Sequence, residues 1–490
     1  MKPRPYQDKG MTEIRHEYMA GHRCVLYVLP TGGGKTATFS MITVGASKKG
    51  RRTWIVAHRR ELVNQASSTL DKFGVAHGIV LAGETPLPHL TTQVCSLQTV
   101  VGRIGKIAPP DFIVFDEAHH ATSGSYKKIL EAYPNAKILG VTATPCRTDG
   151  KGLGDVFQSM IVGPSTADLT NDGYLSSARY YCTPCQADLS GIAKRGGDYV
   201  REDLADAMDQ RAITGDAIEH YRRICDGVPM IVFCVSVQHA KDVAAEYLNA
   251  GYRATFVDGG LAEEDRTDRL NGLGTGKYQI VTSCDLIGEG LDIPNVVAAQ
   301  LLRPTESLAL HLQQIGRPLR PVYAPGIPLE TAEDRLAAIA SGPKPCAFIL
   351  DHVGNCGASV GGQWVPKHGF AVSPREWTLT GKVKKPKTEA DVLIKSCPDC
   401  FSVHEPAGVC PFCGHVYEAV RSRKIESVKG DLVEVSREMI EAEKQARRDE
   451  EKKAWTKADL IALAKQRNYK NPEFWAMMKL KGRKMKSFRN

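Results

Sequence analysis

Three short stretches of the chain gather residue types that handle phosphate. "LPTGGGKT", residues 29–36, sets Gly32, Gly33 and Gly34 ahead of Lys35 and Thr36. Glycines let backbone N–H groups curl round an anion, a lysine adds a point charge for terminal phosphates, and a threonine hydroxyl suits magnesium. The strict nucleotide-loop pattern has a glycine where this chain has Leu29, so the loop alone also reads as a turn that binds nothing. "FIVFDEAHH", residues 112–120, brings two acids out of an apolar run. Asp116 reads as a magnesium ligand, and Glu117 as the group that orients and deprotonates a water. "QQIGRPLR", residues 313–320, places Arg317 and Arg320 three apart, which on a helix would aim both along one face. Planar guanidinium groups match the charge that develops on phosphoryl oxygens. Their alternative is a surface pair serving salt bridges worth at most about 1 kcal/mol.

A fourth stretch handles metal. "CPDC" and "CPFCG" supply Cys397, Cys400, Cys410 and Cys413, with nine residues between the pairs. Two such turns can surround one tetrahedral zinc, and His404 and His415 are the substitute ligands in the same segment. The stretch is too short to fold without a staple, so the metal role expected is structural. "CTPC", beginning at Cys182, has no second pair nearby and reads as incidental thiols. The chain holds 14 cysteines, and most of the others fall within apolar runs such as "IVFCVS", the pattern of buried thiols rather than disulfides.

The elements that must position these residues follow from short apolar runs divided by amphipathic stretches. "RCVLYVL", "TWIVAH", "FIVFDE" and "KILGVTATP" form one series; "MIVFCVS", "ATFVDGG", "YQIVTS" and "VVAAQLL" form another. Each run reads as a buried strand followed by a helix or loop, which predicts two α/β domains with parallel sheets. The series divide near "GYLSSARYY". A Pro/Gly-rich break, "PVYAPGIP", follows the arginine pair, and "GKVKKPKTEAD" reads as a linker into the cysteine segment. The expected organisation is two α/β domains over 1–168 and 169–365, a zinc ribbon over 390–420 and a basic helical tail over 421–490.

Composition agrees with large cores: of 490 residues 42% are hydrophobic and 24% charged. No apolar run reaches the ~18 residues of a membrane helix, and the first residues are no secretory signal, so the expectation is a cytoplasmic chain without a membrane partner. Charge is uneven. Residues 421–490 hold 20 Lys/Arg against 11 Asp/Glu, which accounts for the whole net charge of +9. Two readings of the tail stand: Tyr469, Phe474 and Trp475 stack on bases while cations neutralise phosphates, or the aromatics are the core of a helical cap.

"LPTGGGKT", "DEAH", "VTATP" and "QQIGRPLR", in that order, resemble motifs I, II, III and VI of the superfamily-2 helicases. The likeness covers roughly residues 1–360 and takes in "RPYQ", "AHRRELVNQ", "CSLQTV", "IVFCVSVQHA" and "LIGEGLDIP". It is nearest to DEAH-type DNA helicases related to the translocating subunits of restriction enzymes, and to phage and bacterial members with a zinc-binding tail. The resemblance implies two RecA-like domains with ATP and magnesium in the cleft between them. It implies that Arg317 and Arg320 reach the γ-phosphate with Gln313 close by, and that Arg4 and Gln7 read adenine. His119, Thr142 and Thr144 would couple hydrolysis to strand grip, and Gly290 and Asp292 would meet the nucleotide from the second domain. Arg59, Ser96, Thr99 and Thr282 would contact the strand backbone, a plain loop or core role being the alternative for each. The activity implied is ATP-driven movement along single-stranded or forked DNA with strand separation, alongside protein partners in replication, recombination or restriction. The rivals are an RNA helicase, a duplex translocase without unwinding, and a zinc-dependent nucleic-acid-binding scaffold with a silent ATPase.

Overall fold

The computed structural model describes residues 2–85, 87–147, 152–182, 194–195, 198–199, 211–284, 295–360, 363–381, 395–397, 400, 402–404 and 408–416. In the tail it describes 450, 453–454, 456–466, 473, 476–477 and 479–480. The first sheet takes its strands from the first apolar series: β1 Cys24–Val28, β2 Thr53–Ala57, β3 His77–Val80, β4 Thr92–Ser96, β5 Phe112–Phe115, β6 Lys137–Thr142 and β7 Ser159–Val162. Their order is β3-β4-β2-β5-β6-β1-β7, and every pairing is parallel. Parallel neighbours need crossovers, and the helices Lys35–Lys48 and Arg60–Lys72 provide two of them.

Both faces of the sheet are covered, which is why its central strands are apolar without alternation. Val25, Tyr27 and Leu29 join one core with Phe39, Leu62 and Leu70. Cys24, Leu26 and Val28 point the other way, into a core with Trp54, Phe115 and Tyr126.

β8 (Ala178–Cys182) opens the second sheet and is followed by a short antiparallel hairpin, β9 Lys194–Arg195 with β10 Asp198–Tyr199. The remaining strands are β11 Met230–Phe233, β12 Ala254–Val257, β13 Ile280–Ser283, β14 Ala298–Leu301 and β15 Ala347–Asp351. Their order is β12-β13-β11-β14-β15-β8, again wholly parallel. Two parallel-sheet α/β domains in tandem are thus the architecture, as the spacing of apolar runs requires. Each sheet with its helices is called a lobe below. The lobes also meet through surface charges: Arg266 Nη2 lies 2.9 Å from Glu61 and Arg60 Nη1 lies 3.6 Å from Glu263.

The cysteine segment contains an antiparallel pair, Lys395–Ser396 with Val403–His404. It rests on the edge of the second sheet, where Ser402 forms an antiparallel bridge with Tyr181 and the Arg179 guanidinium lies 5.2 Å from the Phe412 ring centre. Residues 418–490 form a separate unit. Its helix Lys457–Gln466 is capped by Thr456, whose hydroxyl accepts from the Asp459 N–H at 3.1 Å, and buries Leu460 and Ala464. Tyr469, Phe474 and Trp475 lie outside the described residues, as do Gly290, Asp292 and Cys185. Among the described residues no helix is long and apolar enough to cross a membrane.

Candidate active site

Parallel register sets the site. β1 pairs with β6 so that Val28 lies against Thr142, and β5 ends beside β6. The three strands therefore release the glycine loop, the acid pair and the Thr142–Thr144 turn at one edge, the carboxyl end where open α/β sheets hold ligands. Leu29, which departs from the strict pattern, is fully buried and its N–H donates to the Thr142 carbonyl at 3.0 Å. It continues the strand into the core and leaves the curling of the loop to the glycines. Gly32 and Gly34 have φ of +82° and +88°, values that side-chain-bearing residues rarely adopt. Gly34 then opens the helix Lys35–Lys48, whose first N–H groups lack partners within the helix and suit an anion.

Arg4 and Gln7 brace this loop. The Gln7 amide donates to the Gly34 carbonyl at 3.3 Å, and the Tyr6 hydroxyl donates to the Gly33 carbonyl at 2.8 Å. Arg4 donates to the Tyr6 hydroxyl at 2.9 Å and lies 4.7 Å from the centre of the Tyr174 ring. Residue type alone singles out neither Tyr6 nor Tyr174, although Tyr6 stands inside "RPYQ" and its phenol is what reaches the loop.

The acids are held tightly. Asp116 and Glu117 are 4% and 7% exposed. Lys35 Nζ lies 4.0 Å from Glu117 Oε1, and His119 Nδ1 lies 3.4 Å from Glu117 Oε2. The same His119 nitrogen is 3.3 Å from the Thr142 hydroxyl, which donates to the Thr144 carbonyl at 3.0 Å. A continuous polar line therefore joins Lys35, Glu117, His119, Thr142 and Thr144. Glu117 has φ +48°, the sole positive value on a non-glycine among the described residues. Such a backbone costs on the order of 1–3 kcal/mol and persists only where its surroundings enforce it. Burial, and then the neighbouring Glu117 charge, push the Asp116 carboxyl up to about 7, with Lys35 opposing. A divalent cation would restore its carboxylate form, so the donor set fits magnesium held by Asp116 and Thr36.

From the second lobe comes the helix Leu308–Gly316, capped by Ser307, whose hydroxyl accepts from the Leu310 N–H at 3.3 Å. The helix stops at Gly316, so the two arginines do not share a helical face. Pro318 has no N–H to continue the ladder, so the helix ends with Arg317 at its C-cap, still in helical backbone at φ −64° and ψ −50°, and Arg320 falls in the following turn. Both segments still meet the first lobe. A Cβ on Gly316 would come within 2.8 Å of Thr31, and one on Gly32 would lie 3.4 Å from Arg320 Cγ. Arg317 and Gln313 are 5% and 4% exposed. The Gln313 amide nitrogen is buried with no hydrogen-bond partner among the described residues, a donor left for a ligand.

The remaining site residues divide. Arg59 occupies the N-cap position of the helix Arg60–Lys72 without a side-chain capping bond, and Thr99 lies half-buried in the helix Leu97–Val101. Ser96 is buried and donates to the Gln98 side chain at 3.0 Å. Thr282 is wholly buried and its hydroxyl donates to the Ala240 carbonyl at 2.6 Å, tying β13 to the helix Val237–Asn249, which favours the core role given as its alternative.

Cys397, Cys400, Cys410 and Cys413 bring their sulfurs within 4.8 Å of one another. Cys397 Sγ lies 3.5 Å from Cys413 Sγ, and Cys400 Sγ lies 3.7 Å from Cys410 Sγ. Burial disfavours the Cys410 thiolate, yet the Ser402 hydroxyl and backbone N–H groups of Cys413 and Phe412 pull its thiol down to about 5. Gly414, at φ +77°, makes the turn that lets those N–H groups face sulfur. Four soft donors in this arrangement fit a tetrahedral zinc.

Two family models match the chain. Residues 1–147 match "Type III restriction enzyme, res subunit" and residues 216–322 match "Helicase conserved C-terminal domain". A 51.5 kDa protein of a Lactococcus phage is 29% identical over 418 residues, covering 85% of this chain and 82% of that protein. A putative ATP-dependent helicase of Saccharomyces cerevisiae is 26% identical over 338 residues, 65% of this chain but only 49% of the yeast protein. Among solved structures, a fragment of a putative HsdR subunit of a type I restriction enzyme from Vibrio vulnificus superposes with a TM-score of 0.53 at 21% identity. That match covers 72% of this chain and 64% of the other, and supports the tandem RecA-like fold. Taken with the strand-end geometry, these matches support a nucleic acid-dependent ATPase whose two domains are similar to those of superfamily-2 helicases and restriction-enzyme subunits.

Proposed function

We propose that the chain is an ATP-driven DNA translocase and helicase of the DEAH type, in which hydrolysis at the meeting of the two lobes moves them along a strand. Lys35 and the loop N–H groups hold the β- and γ-phosphates, Thr36 and Asp116 hold magnesium, and Glu117 takes the proton of the attacking water. Arg317 and Arg320 stabilise charge on the transferred phosphoryl group, with Gln313 beside them. Arg4 and Gln7 sense the base. Gly290 and Asp292 complete the nucleotide contacts from the second lobe. His119, Thr142 and Thr144 pass the state of the acid pair to the strand-binding surface, to which Arg59, Ser96 and Thr99 contribute. The observation that carries this reading is the approach of Gly316 and Arg320 to the loop at Thr31 and Gly32. The four cysteines would hold zinc as a structural staple for their segment, with no part in the chemistry.

A second reading, translocation on duplex without strand separation, is favoured by the match of residues 1–147 to a restriction-enzyme subunit. The test is ATPase activity across single-stranded, forked and duplex DNA and RNA, run beside a strand-displacement assay. Stimulation by single-stranded or forked DNA with displacement of the annealed strand is expected. Stimulation by RNA alone defeats the DNA assignment, and stimulation by duplex without displacement selects the second reading.

A further inference from the structure

We infer that residues 368–381 are a strap that positions the arginine-bearing helix against the phosphate loop. This rests on the role given above to Arg317 and Arg320, and extends it to residues outside the catalytic and strand-contact groups named there.

The strap begins in the second lobe. The Gly369 carbonyl is an acceptor, so His311 must donate to it from Nε2, at 3.0 Å. His311 lies in the helix Leu308–Gly316, two residues before Gln313 and six before Arg317. Phe370 packs on Tyr180 with ring centres 4.3 Å apart, and the Ala371 N–H donates to the Tyr180 hydroxyl at 3.0 Å. Arg375 then folds the segment on itself. Its two terminal nitrogens donate to four carbonyls: Ala371 at 3.3 Å, Ser373 at 2.8 Å, His368 at 2.9 Å and Phe370 at 2.8 Å. Only a planar fork can serve that many acceptors in one turn.

The strap ends in the first lobe. Trp377 and Leu379 pack against the core of Trp54, Phe115 and Tyr126. The Leu379 carbonyl accepts from the Gly154 N–H at 2.9 Å. A Cβ on Gly152 would collide with that carbonyl and with the Gly381 nitrogen, so backbone meets backbone where only glycine fits. Between its ends, Ala371, Ser373 and Arg375 share a crevice with Pro30 and Thr31 of the phosphate loop and Gly316 of the helix. One short segment thus grips the arginine helix through His311 and the loop after Thr144 through Gly152 and Gly154. Loosening either grip lets the helix drift from the loop, and a displacement near 1 Å costs about 10²-fold in rate.

The decisive variant is Gly152→Ala, which lies away from the phosphate loop and the acids. Amide hydrogen exchange over 376–381 is expected to quicken by at least ~10-fold, reporting release of the strap. Saturated nucleic acid-stimulated kcat is expected to fall by about 10-fold or more, while affinity for a fluorescent ADP stays within about twofold. Arg375→Lys, which keeps the charge and loses the fork, should repeat this pattern, and Trp377→Phe should retain native exchange and kcat. Quickened exchange with unchanged kcat overturns the proposal, and so does unchanged exchange in both Gly152→Ala and Arg375→Lys. Arg317→Lys in the native strap background is the control. Full kcat there would defeat the arginine assignment, whereas a strap failure with an inactive Arg317→Lys would count against the strap alone.

Discussion

The two halves of the candidate site are built by opposite means. On the first lobe, the glycine loop, Asp116, Glu117 and Thr142 stand directly on strand ends, and each is buried or hydrogen-bonded to a neighbour in the same sheet. On the second, Arg317 and Arg320 stand past a helix end, and the Arg320 carbonyl is held by Lys344 Nζ at 2.6 Å. The first half is preorganised, and strain at Glu117 is tolerated because the sheet enforces it. The second is conditional, since it depends on where a helix terminus and a turn come to rest. A site divided in this way binds phosphate with one lobe and completes the charge stabilisation only when the other is in place.

The comparison breaks most sharply at the arginines. Arg317→Ala should lower the stimulated kcat by about 10³–10⁵-fold, with ADP affinity little changed, as measured by phosphate release and by nucleotide titration. A loss of ADP affinity matching the loss of kcat would mean that the second lobe contributes to binding rather than to the chemical step. Glu117→Gln comes next. It should remove about 10²–10⁴-fold of kcat and leave both nucleotide and nucleic acid bound, giving a trapped complex visible by gel shift. Turnover preserved in that variant would show that another group activates the water.

Leu29 sharpens the comparison on the side of stability. As a fully buried residue in the core with Phe39 and Leu62, it should lose about 2–5 kcal/mol on change to Ala, read by urea denaturation. If Leu29→Gly raised nucleotide affinity at little cost in stability, the residue would be a defective loop position and not a core one.

That residue also shows how far the order of amino acids alone reveals the fold and the site. The apolar runs imply both sheets because buried parallel strands need no alternation, and "CVLYV" is the β1 they predict. Lys35, Thr36, Asp116 and Glu117 are legible because phosphate and magnesium chemistry demands those residue types within a few positions. The arginine pair is legible too, but its helical placement is not, because the spacing of three invites a helix and Pro318 decides otherwise. Thr282 is ambiguous, since a hydroxyl in "VTS" serves strand packing and phosphate contact equally well. The strap is invisible: nothing local to "HGFAVSPREWTLTG" says that its partners are His311 on one side and Gly152 on the other.

The smallest effect concerns Lys344, which is 1% exposed beneath the arginine turn. Burial, with the nearby Arg320 charge adding to it, lowers its ammonium to about 7 from the usual 10.5. Between those values the unfolded chain binds one proton more than the folded one, so stability must rise with pH across that window. Below about 7 both states are charged and the cost of burial is felt in full; towards 10.5 it vanishes. Lys344→Met removes the group and with it the slope, at the loss of about 1–2 kcal/mol for the bond to the Arg320 carbonyl. Urea denaturation of the two proteins from pH 7 to 10 should therefore show the native chain gaining steadily on the variant. Parallel stability curves would place the lysine charge in solvent, and the turn carrying Arg320 would then be held by the strap and the helix end without it.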